Sequence, residues 1–416
     1  MHVLILNQTF YPDVAATAQH MWDLARHLDA SGHRVTAITS QSVYGSSERF
    51  SQTYQRIRNI TIHRVPQTAF GKVHTFGRMA DFLSFYVSAF RKMNDLPAPD
   101  VILALTSPPM IAVLGHWQKL FRHPPNRRIA LVNHVMDLYP DAAVAMGMLQ
   151  PSRPLTRFLT GLTRRTLQAC DAIIALGTDM KDRLMETYLL PVHESRIHVI
   201  PPWADQNEIF PTDRDSNPLR EELGLKNDFV LLYSGNFGQA HDVETFIRTI
   251  RATRSQIGLK WCFSGGGRGI KILQELAPTE GWNHVRFLPY QPREKLNDLL
   301  NLADVHLISQ SPAYTGIVVP SKLFGILSAG KPAIMVGPTE AEASRILIDS
   351  QSGFVIKPGD VETMTHAIQQ LRDNPTLRQQ MGQRARQTFC ERYDCRLSCA
   401  RIERILHQVV ENARCR

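Results

Sequence analysis

The segment best suited to binding an anion is residues 312–335, with the sequence PAYTGIVVPSKLFGILSAGKPAIM. Proline at a helix start is tolerated because its missing N–H would have no partner there, so we expect a helix from Pro320. The free N–H groups of a first turn favour an anion, and Lys322 adds a positive charge beside them. The segment predicts a diphosphate site, with Thr315, Gly316 and Ser321 nearby; an ordinary loop–helix–strand connection is the alternative.

Two glycine-rich stretches follow predicted strands in the same half of the chain. They are SGNFG at residues 234–238 and SGGGRG at residues 264–269. Glycine permits close approach of the backbone to a ligand, and Arg268 could reach a phosphate or a base. Pro289 and Tyr290 follow a third strand and could face a base edge, although a plain turn explains them equally well. Loops that meet at one sheet edge favour a nucleotide.

One carboxylate stands where doubly wound enzymes place their chemistry. Asp137 ends a predicted strand that also carries His134, and ligands of such sheets bind beyond the carboxyl ends of the strands. A catalytic role is predicted for both residues. The alternatives are a turn or cap residue for Asp137 and a hydrogen-bonded core histidine for His134.

The loop after the first predicted strand contains small residues that lead into a helix. Its members are Val14, Ala15, Ala16 and Thr17. Small side chains let a ligand approach the N–H groups of the helix start, so this loop is a candidate binding site. It contains no GxGxxG motif, and a dinucleotide fingerprint is therefore not supported. Small residues are also common at ordinary helix starts.

Strands and helices alternate along the whole chain. Predicted strands are residues 3–6, 35–39, 60–65, 101–105, 129–132, 172–176, 197–200, 230–233, 260–263, 285–288, 305–308, 333–336 and 354–356. Near-continuous apolar strands with intervening helices indicate parallel sheets covered on both faces. The fold prediction is α/β, with two doubly wound, Rossmann-like domains that face each other across a cleft. The predicted ranges are 1–204, 205–392, and a C-terminal helix in 393–416 that packs back on the first domain.

Composition and cysteine use favour a cytoplasmic enzyme. The 416 residues are 43% hydrophobic and 20% charged, as in ordinary folded proteins. No apolar run is long enough to cross a bilayer, and the N-terminus reads as a strand and not as a signal peptide. The six cysteines form no CxxC pair and have no histidine at metal-ligand spacing, so we expect free thiols and no metal site.

Positive charge is concentrated in the first half of the chain. The net charge is +9, and residues 1–200 hold 21 Lys and Arg against 14 Asp and Glu. An anionic partner is implied, such as a membrane surface, a lipid phosphate or a nucleic acid; a generally basic surface is the alternative. Residues 76–92 predict a helix with Met79, Leu83 and Val87 on its apolar stripe, either packed on the sheet or lying on a bilayer.

The chain resembles a known family along nearly its whole length. The stretches that carry the resemblance are FYPD, HMWDLARHLDASGHRVTAITS, ALTSPP, MDLYPD, RIHVIPPWAD, LLYSGNFG, FSGGGRG, VPSKLFGILSAGKPAI and SGFVIKPGD. They are similar to the landmarks of retaining GT-B glycosyltransferases of family 4, in the branch that builds bacterial capsule, colanic-acid or O-antigen polysaccharides. The resemblance implies transfer of a sugar from a nucleotide sugar, with retention and without a metal or other cofactor.

The motifs and the resemblance together give a set of expected site residues. For the donor diphosphate and sugar they are Gly235, Asn236, Thr315, Gly316, Ile317, Val318, Ser321 and Lys322. For the base and ribose they are Gly266, Gly267, Arg268, Pro289, Tyr290 and Gly325. The acceptor is expected at residues 14–17, and Asp137 matches the carboxylate of the family's His-Asp element.

The chain departs from the family pattern at three places. Asn236 and His241 stand where the family commonly has an Arg and a Lys, so phosphate charge must be met mainly by helix ends and Lys322. The two family glutamates are missing, with Ile317 near the first place and Gly325 at the second. The His that precedes the family's acidic residue is Met136 here.

These observations predict a metal-independent glycosyltransferase. A UDP-sugar is the expected donor and a saccharide or a polyprenyl-phosphate-linked acceptor the expected partner, at the inner face of the membrane, with peripheral contact through the basic first domain. Two alternatives remain. A sugar-nucleotide epimerase of the same architecture needs no acceptor, and a binding protein for lipid phosphate or nucleic acid would use the basic half. The chain has no recognised nucleic-acid motif, so nucleic acid is not an expected partner.

Overall fold

The computed structural model describes residues 1–43, 48–68, 70, 75–122 and 128–415, without the side chains of residues 75 and 76. The chain divides into two compact units. Unit 1 contains Met1–Pro201 together with Arg396–Arg416, and unit 2 contains Pro202–Cys395.

Unit 1 is built on one sheet. Its strands are β1 (His2–Leu6), β2 (Arg34–Ser40), β3 (Tyr54–Ile57), β4 (Ile60–Val65), β5 (Val101–Ala104), β6 (Ala130–Val135), β7 (Ala172–Ala175) and β8 (Ile197–Val199). Its first helices are α1 (Ala16–Ala30), α2 (Thr75–Asp95), α3 (Ala112–Phe121), α4 (Asp141–Ala145), α5 (Pro154–Ala169) and α6 (Thr178–Thr187). The strand order is β3-β4-β2-β1-β5-β6-β7-β8, and β3 alone runs antiparallel to its neighbour.

Hydrophobicity explains which strands of unit 1 the sequence predicts. β1, β5, β6 and β7 are buried at every position, as expected for parallel strands covered on both faces. β3, with the sequence YQRI, was not predicted. It lies at the edge of the sheet, and its residues alternate between exposed and half-buried, so it has no apolar run.

Unit 2 is built on a sheet in which every described pairing is parallel. Its strands are β9 (Phe229–Asn236), β10 (Leu259–Gly266), β11 (Val285–Leu288), β12 (Val305–Ser309), β13 (Ala333–Val336) and β14 (Gly353–Ile356). Its helices are α7 (Pro218–Glu222), α8 (Glu244–Ala252), α9 (Arg268–Thr279), α10 (Leu296–Leu302), α11 (Lys322–Ser328), α12 (Glu342–Asp349), α13 (Val361–Asp373) and α14 (Pro375–Arg392). The strand order is β11-β10-β9-β12-β13-β14.

β9 and β10 are longer than the sequence predicts. Residues 234–236 and 264–266 were expected in loops, but they extend the two strands, and Gly235 pairs with Gly265. A Cβ at Gly265, which has a φ of +125°, would lie 2.4 Å from the Gly235 carbonyl oxygen. Glycine is therefore required here because the two strands approach each other closely, whether or not a ligand is bound.

A buried ion pair fastens α7 to the amino end of β12. Arg220 is 1% exposed, and its Nη2 lies 2.5 Å from Oδ2 of Asp304. The same carboxylate oxygen accepts the backbone N–H of Val230 at 2.8 Å. Such a pair is strongly destabilising when only one partner is removed, because the other charge stays buried.

Helix α2 packs on the sheet through a different face from the predicted stripe. Phe85, Ala89 and Met93, spaced four residues apart, are each no more than 1% exposed. Leu83 and Val87, by contrast, are 61% and 50% exposed. One face of α2 thus packs on the sheet, while Leu83 and Val87 of the predicted apolar stripe remain at the surface. Contact of this stripe with a bilayer stays a prediction.

The last helix, α15 (Cys395–Arg414), belongs to unit 1 except for its first residue. Ile402 and Leu406 on this helix are fully buried. Arg401 donates to the carbonyl oxygen of Val199 at 2.9 Å, next to the end of β8. Among the described residues, no helix is both long enough and apolar enough to cross a membrane.

Candidate active site

Each sheet reverses its strand order at one place, and the candidate residues gather there. In unit 1 the chain winds outward from β1 in one direction and from β5 in the other. In unit 2 the same change of direction occurs between β9 and β12. Ligands of doubly wound sheets bind at such switch points, beyond the carboxyl ends of the strands.

Lys322 places a buried ammonium group at the switch point of unit 2. Its Nζ is buried, lies 3.4 Å from the centre of the Tyr233 ring, and has no hydrogen-bond partner among the described residues. A Cβ at Gly235 would lie 3.9 Å from this nitrogen, so the ammonium group is beside the backbone of β9. Burial lowers the pKa of Lys322 well below its usual value. A buried cation without a counter-charge is expensive, and an anionic ligand would relieve it.

The loop after β12 contributes a second polar atom of the same kind. Oγ1 of Thr315 is buried and, within the described part of the chain, has no hydrogen-bond partner. Gln310 fixes the loop, because its Nε2 donates to the carbonyl oxygens of Tyr314 and Val318 at 3.1 Å each. Ile317 is 1% exposed, and its N–H donates to the carbonyl oxygen of Tyr314. This predicted site residue is therefore packed inside the loop. Gly316 has a φ of +71°, which suits the turn.

The start of helix α11 differs from the prediction. The helix begins at Lys322 and spans seven residues, so Pro320 lies before it and not in its first turn. Ser321 is exposed and caps the helix without a side-chain hydrogen bond. The positive end of so short a helix is a weak anion site, so the ammonium group of Lys322 is the stronger attraction for any anion that binds here.

His241 belongs to this site and was not among the predicted site residues. Its Nδ1 donates to the carbonyl oxygen of Ser309 at the end of β12, at 2.6 Å. Burial, followed by the charge of Lys322, lowers the pKa of His241 to about 4. The ring is therefore neutral at pH 7. The sequence contains one indication that His241 belongs to the site: it occupies the position at which the family commonly has a Lys.

The predicted glycines of unit 2 lie at the ends of β9 and β10. A Cβ at Gly267 would lie 2.5 Å from Oδ1 of Asn236 and 2.7 Å from the Phe237 carbonyl oxygen. The side chain of Asn236 thus covers Gly267, while the residue as a whole is exposed. This close contact joins the two predicted glycine-rich stretches into one surface.

An exposed tyrosine stands beside this surface. Tyr290 is 64% exposed, and a Cβ at Gly266 would lie 3.2 Å from its ring. Ser264 donates to the carbonyl oxygen of Pro289 at 3.0 Å, which holds this loop at the end of β10. Arg268 is exposed at the first residue of α9. The structure thus brings four of the six predicted base and ribose residues together, with Arg268 close in sequence.

Gly325 does not join them. A Cβ at this position would lie 3.2 Å from Cδ1 of Leu300 and 3.7 Å from Cδ1 of Ile209. The residue thus faces the packing between α11 and α10. Its place at the ribose stays a prediction, although an added side chain at this position would point toward apolar neighbours.

Asp137 is the carboxylate at the switch point of unit 1. It lies two residues beyond β6, and its backbone N–H donates to Oγ1 of Thr106, just after β5, at 3.1 Å. The residue is only partly exposed, and removal of water from around the carboxyl group raises its pKa from 3.8 to about 6. The side chain is therefore mostly ionised at pH 7 and can still take up a proton slightly below that pH.

His134 lies within the sheet and not at its surface. It is 1% exposed, and burial, with a smaller effect of His20, lowers its pKa to about 3. Its ring is therefore neutral at pH 7 and beyond the reach of a substrate in this conformation. The catalytic role of His134 stays a prediction, and Asp137 is the accessible member of the pair.

The predicted acceptor loop leads into α1 at the same edge of unit 1. Val14 is 71% exposed, and Ala15 is the residue before the helix, with its N–H bonded to the Asp13 carboxylate at 3.1 Å. Oγ1 of Thr17 lies 3.1 Å from Oγ1 of Thr9. Ala16 begins the helix, and no acidic residue occupies the first turn. The loop and Asp137 thus follow strands on the two sides of one switch point, β1 and β6.

Comparisons with known proteins match both units. The model of glycosyltransferase family 4 matches residues 17–208, and that of group 1 glycosyl transferases matches residues 215–388. WcaI of Escherichia coli, whose name places it in colanic acid biosynthesis, is 25% identical over 89% of this chain and 92% of its own.

Solved structures show the same architecture. A sucrose-phosphate synthase from Thermosynechococcus elongatus superposes with a TM-score of 0.77 at 14% identity, over 99% of this chain and all of its own. HepE of Anabaena, in complex with UDP and glucose, gives 0.71 at 18% identity, over 98% of this chain and all of its own. The predicted GT-B architecture of two Rossmann-like α/β domains is thereby confirmed. The chain is a glycosyltransferase, composed of a family 4 domain followed by a group 1 domain.

Proposed function

We propose that this enzyme transfers a sugar, with retention of configuration, from a UDP-sugar to a saccharide or polyprenyl-phosphate-linked acceptor in surface polysaccharide synthesis. The observation that carries the proposal is the buried ammonium group of Lys322, without a hydrogen-bond partner, beside the backbone of Gly235. The names of WcaI and of the HepE complex with UDP and glucose support the polysaccharide and the nucleotide, respectively.

Unit 2 provides the groups for the donor. Lys322 and Oγ1 of Thr315 face the diphosphate, while the backbone of Gly235 allows it to approach closely. Tyr290 lies against Gly266 and offers an exposed ring on which the uracil can stack. As the bond to the sugar breaks, negative charge grows on the leaving diphosphate, and the fixed ammonium group stabilises it.

Unit 1 provides the groups for the acceptor. The start of α1 at residues 14–17, where Val14 and Ala16 are exposed, contacts the acceptor sugar, and the ionised carboxylate of Asp137 accepts a hydrogen bond from the hydroxyl group of that sugar. A phosphate oxygen of the donor takes the acceptor proton, so the reaction needs no separate general base. Retention follows when the acceptor attacks the face of the sugar that the diphosphate leaves.

The chemistry is proposed to be independent of a metal, because Lys322 brings the positive charge to the diphosphate. The test is a panel of UDP-, GDP-, ADP- and dTDP-sugars with candidate acceptors, assayed with and without EDTA. We expect UDP release that depends on the acceptor, a product with the donor's anomeric configuration by NMR, and unchanged initial rates in EDTA. A new sugar epimer without UDP release would support the epimerase instead.

Unit 1 has a surface that could make the membrane contact expected from the sequence. It is formed by exposed apolar side chains of α2, α3 and α5, and we call it the α2–α3–α5 face. Its large exposed apolar side chains are Met79, Leu83, Val87, Trp117, Phe121 and Phe158. The rings of Phe90 and Trp117 join α2 to α3 with centroids 6.3 Å apart, and α3 packs against α5. Monomeric proteins rarely expose so many large apolar groups together.

The exposed positive charges on these helices indicate that the partner of this face is anionic. Arg91 on α2 and Arg157, Arg164 and Arg165 on α5 are exposed on the same helices. Apolar side chains flanked by arginines match the interface of an anionic bilayer, which they would enter without crossing it. We therefore propose that the α2–α3–α5 face docks on anionic lipid, which brings a lipid-linked acceptor to unit 1.

Vesicle sedimentation tests this contact. Wild-type protein should pellet with phosphatidylglycerol vesicles and much less with phosphatidylcholine vesicles, and added salt should release it. Leu83→Glu combined with Phe158→Glu should abolish pelleting, whereas Ile257→Glu, at a 90% exposed site in unit 2, should not. Equal pelleting of both variants would contradict the proposal, and a dimer in light scattering that Leu83→Glu disrupts would assign the face to a second copy.

A further inference from the structure

We propose that His33, Glu403 and His407 bind one divalent transition-metal ion, with Zn²⁺ as the best match, which fastens helix α15 to the turn before β2. His33 directly precedes β2, and Glu403 and His407 lie one helical turn apart on α15. His33 is thus 370 positions from Glu403 in sequence, but the three residues meet within unit 1.

Two of the three distances between the ligand atoms match the spacing of one coordination sphere. Nε2 of His33 lies 3.0 Å from Oε1 of Glu403 and 3.1 Å from Nε2 of His407. All three atoms lie within 4.8 Å of one another. Zinc binds such atoms at about 2.0–2.2 Å, so neighbouring ligands of one ion lie roughly 3.0–3.5 Å apart.

The hydrogen bonds available without an ion satisfy this arrangement poorly. Two imidazole Nε2 atoms and one carboxylate oxygen face each other, and each neutral imidazole carries a proton on only one of its nitrogens. A proton on Nε2 of His33 has to be shared between Glu403 and His407. A cation at the centre would accept the lone pairs of all three atoms at once.

A second histidine orients the carboxylate. Nε2 of His27, in the last turn of α1, lies 2.8 Å from the other oxygen of Glu403. Nδ1 of His33 lies 3.3 Å from the Met1 amino nitrogen. A His33 ring that binds an ion through Nε2 carries its proton on Nδ1, so the Met1 amino group has to be in its neutral form to accept that proton. Partners of this kind fix the orientation of metal ligands and are a regular part of metal sites.

The donor set selects the kind of ion, and the location selects its role. Two imidazoles and a carboxylate suit zinc and its first-row neighbours, whereas Mg²⁺ and Ca²⁺ prefer oxygen ligands. The cluster lies at the amino end of β2, while Asp137 and residues 14–17 follow the carboxyl ends of their strands. The ion is therefore structural, and the inference does not rest on the proposed function.

The test uses the full-length chain without a polyhistidine tag, stripped with EDTA and then dialysed. Titration with ZnCl₂ in a calorimeter should show one ion per chain, and the ion should raise the melting temperature by several degrees. MgCl₂ should do neither. Because the exposed thiols of Cys390 and Cys415 also bind zinc, the double variant Cys390→Ser, Cys415→Ser should still bind one ion at this site.

Variants decide whether the ion is at this site. His407→Ala changes an exposed side chain and should abolish both the stoichiometric binding and the zinc-dependent shift, and Glu403→Gln should weaken the binding at least tenfold. His366→Ala, at an exposed histidine on α13, is the matched control and should bind like wild type. Binding below one ion per chain, or full binding by His407→Ala, would overturn the inference.

Discussion

The ammonium nitrogen of Lys322 lies 3.4 Å from the centre of the Tyr233 ring. The ring's negative face partly stabilises the buried cation. It does not replace an anion, and the charge also reaches His241, whose pKa it helps to lower. Lys322, Tyr233 and the neutral His241 thus lie together at the place where we propose that the donor diphosphate binds.

Replacing this charge should weaken donor binding and stabilise the unliganded protein. In Lys322→Met we expect UDP to bind roughly 10- to 100-fold more weakly by calorimetry, because a hydrogen bond to a charged group contributes about 1.5–3 kcal/mol. The melting temperature without ligand should rise, since the apolar side chain removes an unpaired buried charge. Lys226→Met, at an exposed lysine before β9, is the control and should change neither value.

The pH dependence of UDP binding should carry the same signature. Burial lowers the pKa of Lys322 in the free enzyme, and a bound diphosphate raises it again. Between the pKa of Lys322 in the free enzyme and its higher pKa in the complex, the bound form therefore holds more protons. The affinity for UDP should weaken as pH rises through this range. In Lys322→Met this part of the pH dependence should disappear; its persistence would assign the proton to another group.

Asp137→Asn should produce a more stable but less active enzyme. The folded-state pKa of Asp137 is raised from 3.8 to about 6, so folding favours the protonated form and the ionised form is destabilising above that range. A shift of two units corresponds to at most about 3 kcal/mol, and the variant should gain up to this amount at pH 7 and nothing at pH 3. Denaturant unfolding at both pH values measures it.

Turnover should report the same carboxyl group. If the ionised form orients the acceptor, the wild-type rate at saturating donor should fall as pH drops below about 6. Asp137→Asn should lose most of its activity and also this acid limb of the profile. UDP binding in unit 2 should be unaffected, which separates a fault in the acceptor site from a loss of the donor site.

Gly265 should tolerate no side chain. In Gly265→Ala the added Cβ would meet the Gly235 carbonyl oxygen at 2.4 Å, with an unfavourable φ of +125°, so we expect a loss of about 3 kcal/mol or more in unfolding free energy. Gly281→Ala is the matched control, because its φ is +65° and no atom lies within 4 Å of the new Cβ. It should lose only about 1 kcal/mol. Similar losses in both variants would place the cost in φ alone.

Removing one partner of the buried ion pair should destabilise unit 2. Asp304→Ala leaves the guanidinium of Arg220 buried without its counter-charge, which typically costs about 3–5 kcal/mol. Glu221→Ala removes an exposed pairing to Lys226 and should cost less than about 1 kcal/mol. Thermal unfolding of the two variants compares these values, and an equal effect would mean that burial does not govern the pair.

The sequence predicts most of the architecture because buried parallel strands are apolar at every position. β4, β11 and β13 have the predicted bounds. Three features escape this signal: the polar edge strand β3, the glycines that extend β9 and β10, and the rotation of α2. The polar strand β3 pairs with β4, its neighbour in the chain, whereas the other two features are decided by neighbours more distant in sequence, such as the Gly235 carbonyl oxygen for Gly265.

The candidate site is predictable where a chemical type stands alone and not where packing decides. Lys322 is the cation of the predicted loop, and the structure places it at the switch point. Gly325, however, faces Leu300, and the first turn of α11 begins two residues late. In the sequence, the cluster of His33, Glu403 and His407 is visible only as the four-residue spacing of Glu403 and His407 on one helix, and ordinary helices show this spacing too.

Unit 1 is discontinuous in sequence, because α15 returns to it after the whole of unit 2. During synthesis the ribosome must therefore finish unit 2 before the first unit can acquire its last helix. Until then the surface that Ile402 and Leu406 cover is open to water, and chaperones or proteases can reach it. A prematurely terminated chain would carry a complete unit 2 and an unfinished unit 1, and the uncovered apolar surface of unit 1 would let the cell recognise truncated copies.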